Sequence, residues 1–366
     1  MRLRSVHSLG IGDCLAKAIY NENGQALVNA GVPLSLNMIE RLNSKGITFV
    51  YIDDEESQHI EFEEVITEKT RQKSIKTIKK SFQLITDPSV IKKTFQIDQL
   101  GHSFRQVVNT ILEEVRSHKE AISLLVTIYS YDSYVFHHSL NVTVYALALG
   151  EKLGLNEKQL QELGLGALLH DIGKMMIPSH ILNKQEPLTD KEFSLIKEHA
   201  TTGFNLLRKS HSIPLLSAHC AFQHHERLNG SGYPRGIEEK DIHLFGKILG
   251  VADVFDAVTS NRVYRKAMLP HEGLELLYAG VDELFDRKMV EVFAKTIAIY
   301  PIGLEVVISD GREGIVSKQN PEMNARPVIR VLKESGETIS PYEVDLTKEL
   351  NLMIMKCETR LSKAAS

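Results

Sequence analysis

Between Phe104 and Ile299 apolar residues recur at helical spacing in segment after segment, and imidazoles and carboxylates stand inside those apolar runs. A helical bundle that buries ionisable groups is the fold these residues allow. Of 15 histidines in the chain, 11 fall between Asp132 and His271. Burying an imidazole or a carboxylate without a partner is costly. A metal ion removes that cost, because neutral imidazole and carboxylate both coordinate Mn, Fe or Zn.

Five segments carry such groups. Leu168-Leu169-His170-Asp171-Ile172-Gly173-Lys174 sets an imidazole beside a carboxylate on an expected helix. His138 opens the apolar run Ser139 to Leu149, and His137 before it should point about 100° away, as a non-ligand. Thr189-Asp190-Lys191-Glu192 has the form of a capping box, and the helix it opens aligns Phe193, Ile196, His199 and Gly203. Gln223-His224-His225-Glu226 runs into the loop Asn229-Gly230-Ser231-Gly232-Tyr233-Pro234-Arg235-Gly236, and Glu226 is expected to accept a hydrogen bond from a ligand histidine. Ile248 to Val258 is a buried helix pattern interrupted by Asp253 and Asp256, of which Asp256 is expected to pair within the fold. Any one of these is common; five in this order are not.

On these elements, together with Ile177-Pro178 to Lys184 and with Arg262 and Tyr264 after Asp253, residues 120 to 300 resemble the HD-GYP family of the HD phosphohydrolase superfamily, whose members hydrolyse the bacterial second messenger cyclic di-GMP. The resemblance implies two divalent cations, Fe or Mn. It assigns His138, His170, Asp171 and Asp253 to one cation and His199, His224 and His225 to the other, with Asp171 bridging. Two cations about 3.5 to 4 Å apart can share a carboxylate and a hydroxide and neutralise a phosphodiester. Some members hold a third metal through a Glu one turn before the first histidine; here that position is Tyr134, so two metals are expected. The resemblance makes Lys174, Arg262 and Arg265 phosphate contacts and puts Gly232, Tyr233 and Pro234 beside the substrate. Cyclic di-GMP, a second copy of the chain and a diguanylate cyclase touching the GYP loop are the implied partners.

The expected fold is mainly α: a mixed α/β unit over 1–60, a helical connector over 61–118, the HD-GYP domain over 119–300 and a β-rich module over 301–366. In the first unit Cys14 to Tyr20, Ala26 to Ala30 and Ile47 to Ile52 read as strands, with a turn at residues 21–24 and a helix at Leu36 to Asn43. The acidic patch Asp53 to Glu64 and the basic one Lys69 to Lys80 suggest a solvated linker helix. Beyond Pro301, short β-like runs alternate with Asp310-Gly311, Asn320-Pro321 and Ser335-Gly336 turns.

With 43 Lys and Arg against 47 Asp and Glu, the net charge is −4, which argues against a nucleic-acid polymer as partner. The longest apolar stretch, Val142 to Leu149, is too short to span a membrane, and three scattered cysteines fit a reducing cytoplasm. The function expected is hydrolysis of cyclic di-GMP to pGpG and, in some members, GMP, by a hydroxide between the metals. The alternatives are a weakly active cyclic di-GMP receptor and a hydrolase of another phosphate ester.

Overall fold

The computed structural model describes the chain except residues 21–24, 46, 62, 87–93, 119–121, 123–133, 185, 261–266, 322 and 359–366. The expected turn at 21–24 and the segment carrying Arg262, Tyr264 and Arg265 lie outside the described residues.

The helical core is built from α2 (Glu68–Thr86), α3 (Thr94–Ser117), α4 (Tyr134–Lys152), α5 (Glu157–Leu169), α7 (Asp190–Leu207), α8 (Leu215–Gln223), α9 (Leu244–Thr259), α10 (Pro270–Ala279) and α11 (Arg287–Ala294); the short α6 is Ser179–Leu182. Helix α4 is its axis. Every residue from Val135 to Gly150 is buried, which is why this helix is apolar all round rather than amphipathic. Capping boxes at Asn156/Gln159 and Thr189/Glu192 start α5 and α7, the second as its sequence predicts.

Helix α2 corrects the reading of a solvated linker. Ile75, Ile78 and Phe82 are buried in the helical core, and Phe82 meets Phe104 and Phe136 edge-on. Three apolar residues on one face suffice to dock the helix, and the lysines between them hide that stripe from a composition-based reading.

The N-terminal unit is a three-stranded antiparallel sheet in the order β1 (Arg2–Ser5), β5 (Phe49–Asp53), β2 (Cys14–Leu15), with a hairpin β3 (Ile19–Tyr20)/β4 (Ala26–Val28) and α1 (Leu36–Ser44). The run read as one strand from Cys14 to Tyr20 is thus two short strands in different sheets. Strand β5 serves two cores because its side chains alternate between faces. Val50 and Ile52 pack with Leu15, Leu34 and Leu42 of the N-terminal unit. Phe49 and Tyr51 pack with Leu304, Val306, Ile315 and Ile329 of the C-terminal module.

That module is a five-stranded antiparallel sheet ordered β10 (Ile354–Glu358), β6 (Glu305–Ile308), β7 (Glu313–Lys318), β8 (Val328–Glu334), β9 (Glu337–Asp345). Arg2 fastens the two ends of the chain. Its buried guanidinium lies 3.1 Å from Asp54 and 3.1 Å from the fully buried Glu305, and also pairs with Glu56.

Candidate metal centre

His170 and Asp171 do not stand in the middle of a helix, as their apolar neighbours suggest. Helix α5 ends at Leu169, His170 caps it, and a 3-10 turn runs from Ile172 to Met176. Adjacent residues of a continuous helix diverge by about 100°. Breaking the helix here lets both side chains enter one cavity.

Three histidines reach that cavity in the same way. His170 Nδ1 donates to the Ala167 carbonyl at 2.7 Å, His199 Nδ1 to Ile196 at 2.6 Å and His224 Nδ1 to Cys220 at 3.0 Å. A carbonyl oxygen can only accept, so Nδ1 carries the proton and Nε2 of the neutral ring keeps its lone pair. His138 Nδ1 lies 2.7 Å from the Asp256 carboxylate, with its Nε2 likewise turned inward.

The inward atoms converge on Asp171. Its Oδ2 is 3.4 Å from His138 Nε2 and 3.3 Å from His170 Nε2; its Oδ1 is 3.4 Å from His199 Nε2 and 3.8 Å from His224 Nε2. One carboxylate thus faces two ligand groups, His138 with His170 and His199 with His224 and His225. Asp253 lies against both, with Oδ1 at 3.0 Å from His138 Nε2 and Oδ2 at 3.7 Å from His225 Nδ1. His170 Nε2 and Asp171 Oδ1 are buried and make no hydrogen bond. Orphaned lone pairs pointing at one another are a poor core and a good cation site, so this donor set fits a pair of divalent metals.

The electrostatics agree with that chemistry. Burial would raise the Asp171 carboxyl, but Lys174 and His170 hold it well below the usual range, and Asp253 is held well below by its contact with His138 despite its own burial. Burial pushes His199 down to about 4 and His224 and His225 well below their ordinary value, so these rings are neutral and ready to coordinate. His138 is the exception. Burial acts to lower it, and its contacts with Asp253 and Asp256 outweigh burial and raise it to about 9.

Of the remaining expected residues, Lys174 places Nζ 2.6 Å from Asp171 Oδ2. The Tyr233 ring stacks on His225 with centroids 4.5 Å apart, and its peptide bond to Pro234 is cis. Gly232 admits this loop, since a Cβ there would lie 2.5 Å from the His225 carbonyl oxygen. Tyr134 stacks on the His138 ring at 5.3 Å. His137 is buried outside the ligand groups, and burial lowers it to about 3.

Glu226 is a correction. Rather than orienting a histidine, its buried carboxylate accepts from the backbone N–H of Arg235 at 3.0 Å and of Ile237 at 3.1 Å, pinning the Gly232-Tyr233-Pro234 loop. Lys197 was not singled out by sequence reasoning. Its Nζ lies 5.0 Å from the Phe193 ring centroid and 5.9 Å from that of Tyr233; its position two residues before His199 and one turn after Phe193 is the signal that could have found it.

Comparison with known proteins matches two parts of the chain. Residues 113–289 match the HD domain family, and residues 305–363 match the KOW domain associated with the HD domain. A cyclic di-GMP phosphodiesterase of Pseudomonas aeruginosa, PA4108, is 36% identical over 225 residues, covering 62% of this chain and 54% of its own length. A cyclic di-GMP phosphodiesterase of Thermotoga maritima is 36% identical over 57% of this chain and 55% of its own. The 3'3'-cGAMP-specific phosphodiesterase 1 of Vibrio cholerae is 38% identical over 144 residues, covering 39% of this chain and 33% of its own length. The chain thus spans about half the length of the first two relatives. The His-Asp pair, the proposed ligand histidines and the GYP loop all lie within residues 113–289, the segment that matches the HD domain family and that the chain shares with cyclic di-GMP and cGAMP phosphodiesterases.

Proposed function

We propose that the chain hydrolyses a phosphodiester bond of cyclic di-GMP, opening the ring to pGpG, with two divalent cations, Fe or Mn, as cofactors. The observation that carries this reading is Asp171, whose two oxygens face two separate histidine groups. When bound, the cation pair supplies charge neutralisation of the phosphodiester and a hydroxide drawn from water.

The chain's own residues then do the positioning. His138, His170, Asp171 and Asp253 would hold one cation; Asp171, His199, His224 and His225 the other. Lys174, held beside Asp171, is a cation suited to a nonbridging phosphate oxygen once metal neutralises that carboxylate. Tyr233 and Pro234, drawn close by the packing of Gly232 against the His225 backbone, form a wall on the His225 side, where a guanine can stack. Arg262 and Arg265 are proposed as further phosphate contacts. The GYP loop is the surface proposed to meet a diguanylate cyclase, and a second copy of the chain is the other proposed partner. No helix among the described residues is long and apolar enough to cross a membrane. The cytoplasm is the proposed location, where the free thiols of Cys14, Cys220 and Cys357 stay reduced.

The second reading, a cyclic di-GMP receptor of negligible turnover, keeps the same ligand set as a scaffold. Metal-replete protein assayed with cyclic di-GMP, beside a metal-stripped control and a panel including cyclic GMP-AMP, decides. Metal-dependent release of pGpG supports the enzyme; binding without product supports the receptor; preference for another phosphodiester overturns the substrate.

A further inference from the structure

Asp256 is buried in the wall of the site yet belongs to neither ligand group. Its carboxylate is fully used. Oδ2 lies 2.7 Å from His138 Nδ1, while Oδ1 accepts from Asn141 Nδ2 at 2.9 Å and from Ser260 Oγ at 3.1 Å. Asn141 stands one turn beyond His138 on α4, and Ser260 follows one turn after Asp256 at the end of α9. The other inward histidines, His170, His199 and His224, rest Nδ1 on a backbone carbonyl. For His138 a side chain from a different helix does that work.

We infer that Asp256 is a positioning residue for the cation assigned to His138, His170 and Asp253: it keeps the proton of His138 on Nδ1, so that Nε2 faces the site with its lone pair free. The inference rests on the two-cation reading above. An anionic acceptor also makes the ring a stronger donor to metal than a carbonyl does, and loss of such a partner typically costs about 10–100-fold in metal affinity. The competing role is a plain staple between α4 and α9, and the two make different forecasts. A staple is weakened alike by losing Asp256 or Asn141. A positioning residue is disabled only by losing the group that touches His138.

The test is a Mn²⁺ titration of the metal-stripped full chain, comparing the wild type with Asp256→Asn and Asn141→Ala, with thermal melting beside it. We expect Asp256→Asn to weaken one of two Mn²⁺ about 10–100-fold and leave the other unchanged, while Asn141→Ala binds both as the wild type does. Unchanged binding in Asp256→Asn overturns the inference, as does an equal loss in both variants tracking their melting temperatures. Should Asp256→Asn not fold, ¹⁵N-histidine NMR of the zinc-loaded wild type still decides: His138, identified by its loss in His138→Gln, must carry its proton on Nδ1, and a proton on Nε2 overturns the inference. A wild type that binds no Mn²⁺ and no zinc overturns the two-cation reading and this inference with it, an outcome distinct from failure in the variant alone.

Discussion

Gly173 lies directly against the backbone carbonyl of His199: a Cβ at position 173 would stand 2.0 Å from that oxygen and 2.8 Å from the Gly203 nitrogen. The contact draws the 3-10 turn after Asp171 onto α7, so the spacing between the two histidine groups is set by a missing side chain. Neither atom is the movable end of a side chain, so a substitution must shift the main chain. Gly173→Ala should therefore destabilise the fold by about 1–3 kcal/mol, as overpacking does. It should also weaken the cation held by His199, His224 and His225 more than the other. Thermal melting with a metal titration checks both parts; a variant that melts and binds as the wild type does removes this role for the glycine.

Asp171→Ala tests the centre itself. Because the two oxygens of this fully buried carboxylate face two histidines of each set, its loss should abolish tight binding of both cations and nearly all hydrolysis while the helical content is kept. Elemental analysis after dialysis gives the answer. Two metals retained per chain with ordinary turnover would remove Asp171 from the bridging position.

Glu226 gives a prediction of the opposite kind. Its carboxylate holds two backbone N–H groups of the loop and touches no proposed ligand, so Glu226→Ala should loosen residues 229–236 and spare the metals. Leaving these partly buried N–H groups unpaired costs about 1–3 kcal/mol each at most, much of it relieved when the loop opens to water. Faster proteolytic cleavage in that loop, a raised KM for cyclic di-GMP and unchanged metal content are expected. Loss of metal instead would show that Glu226 supports the ligand histidines.

The helical bundle and the gathering of its buried His and Asp residues were legible because burial of such groups within apolar repeats leaves few physical solutions. The break at His170 was not, since it depends on Gly173 meeting an α7 carbonyl remote in sequence. The docking of α2 was hidden by its lysines, although Ile75, Ile78 and Phe82 carried the stripe. The sharing of Phe49 and Tyr51 with the C-terminal sheet could not be read from either end alone, because alternation says that a strand has two buried faces but not what covers them. Glu226 shows the same limit: a carboxylate beside two histidines invites a role toward them, and only the path of the loop reveals the backbone donors it serves.

The last prediction concerns protons. Five histidines with ordinary values near ~6.5 would all compete with metal below about pH 6. The fold divides them. His199, His224 and His225 are held neutral by burial, so the cation they bind should show little dependence on pH above about 5. His138 holds its proton up to about 9, because Asp253 and Asp256 outweigh its burial. The sign follows from linkage. In metal-stripped protein the raised value of His138 contributes stability that is fully present below ~6.5 and is lost as pH rises through about 9. A cation on this histidine must displace that proton, so its affinity should climb up to tenfold per pH unit between 6.5 and 9 while the other cation's stays level. Titrating Mn²⁺ at pH 6, 7, 8 and 9 separates the two. A matching slope at both positions would mean that the carboxylates beside His138 do not set its proton affinity.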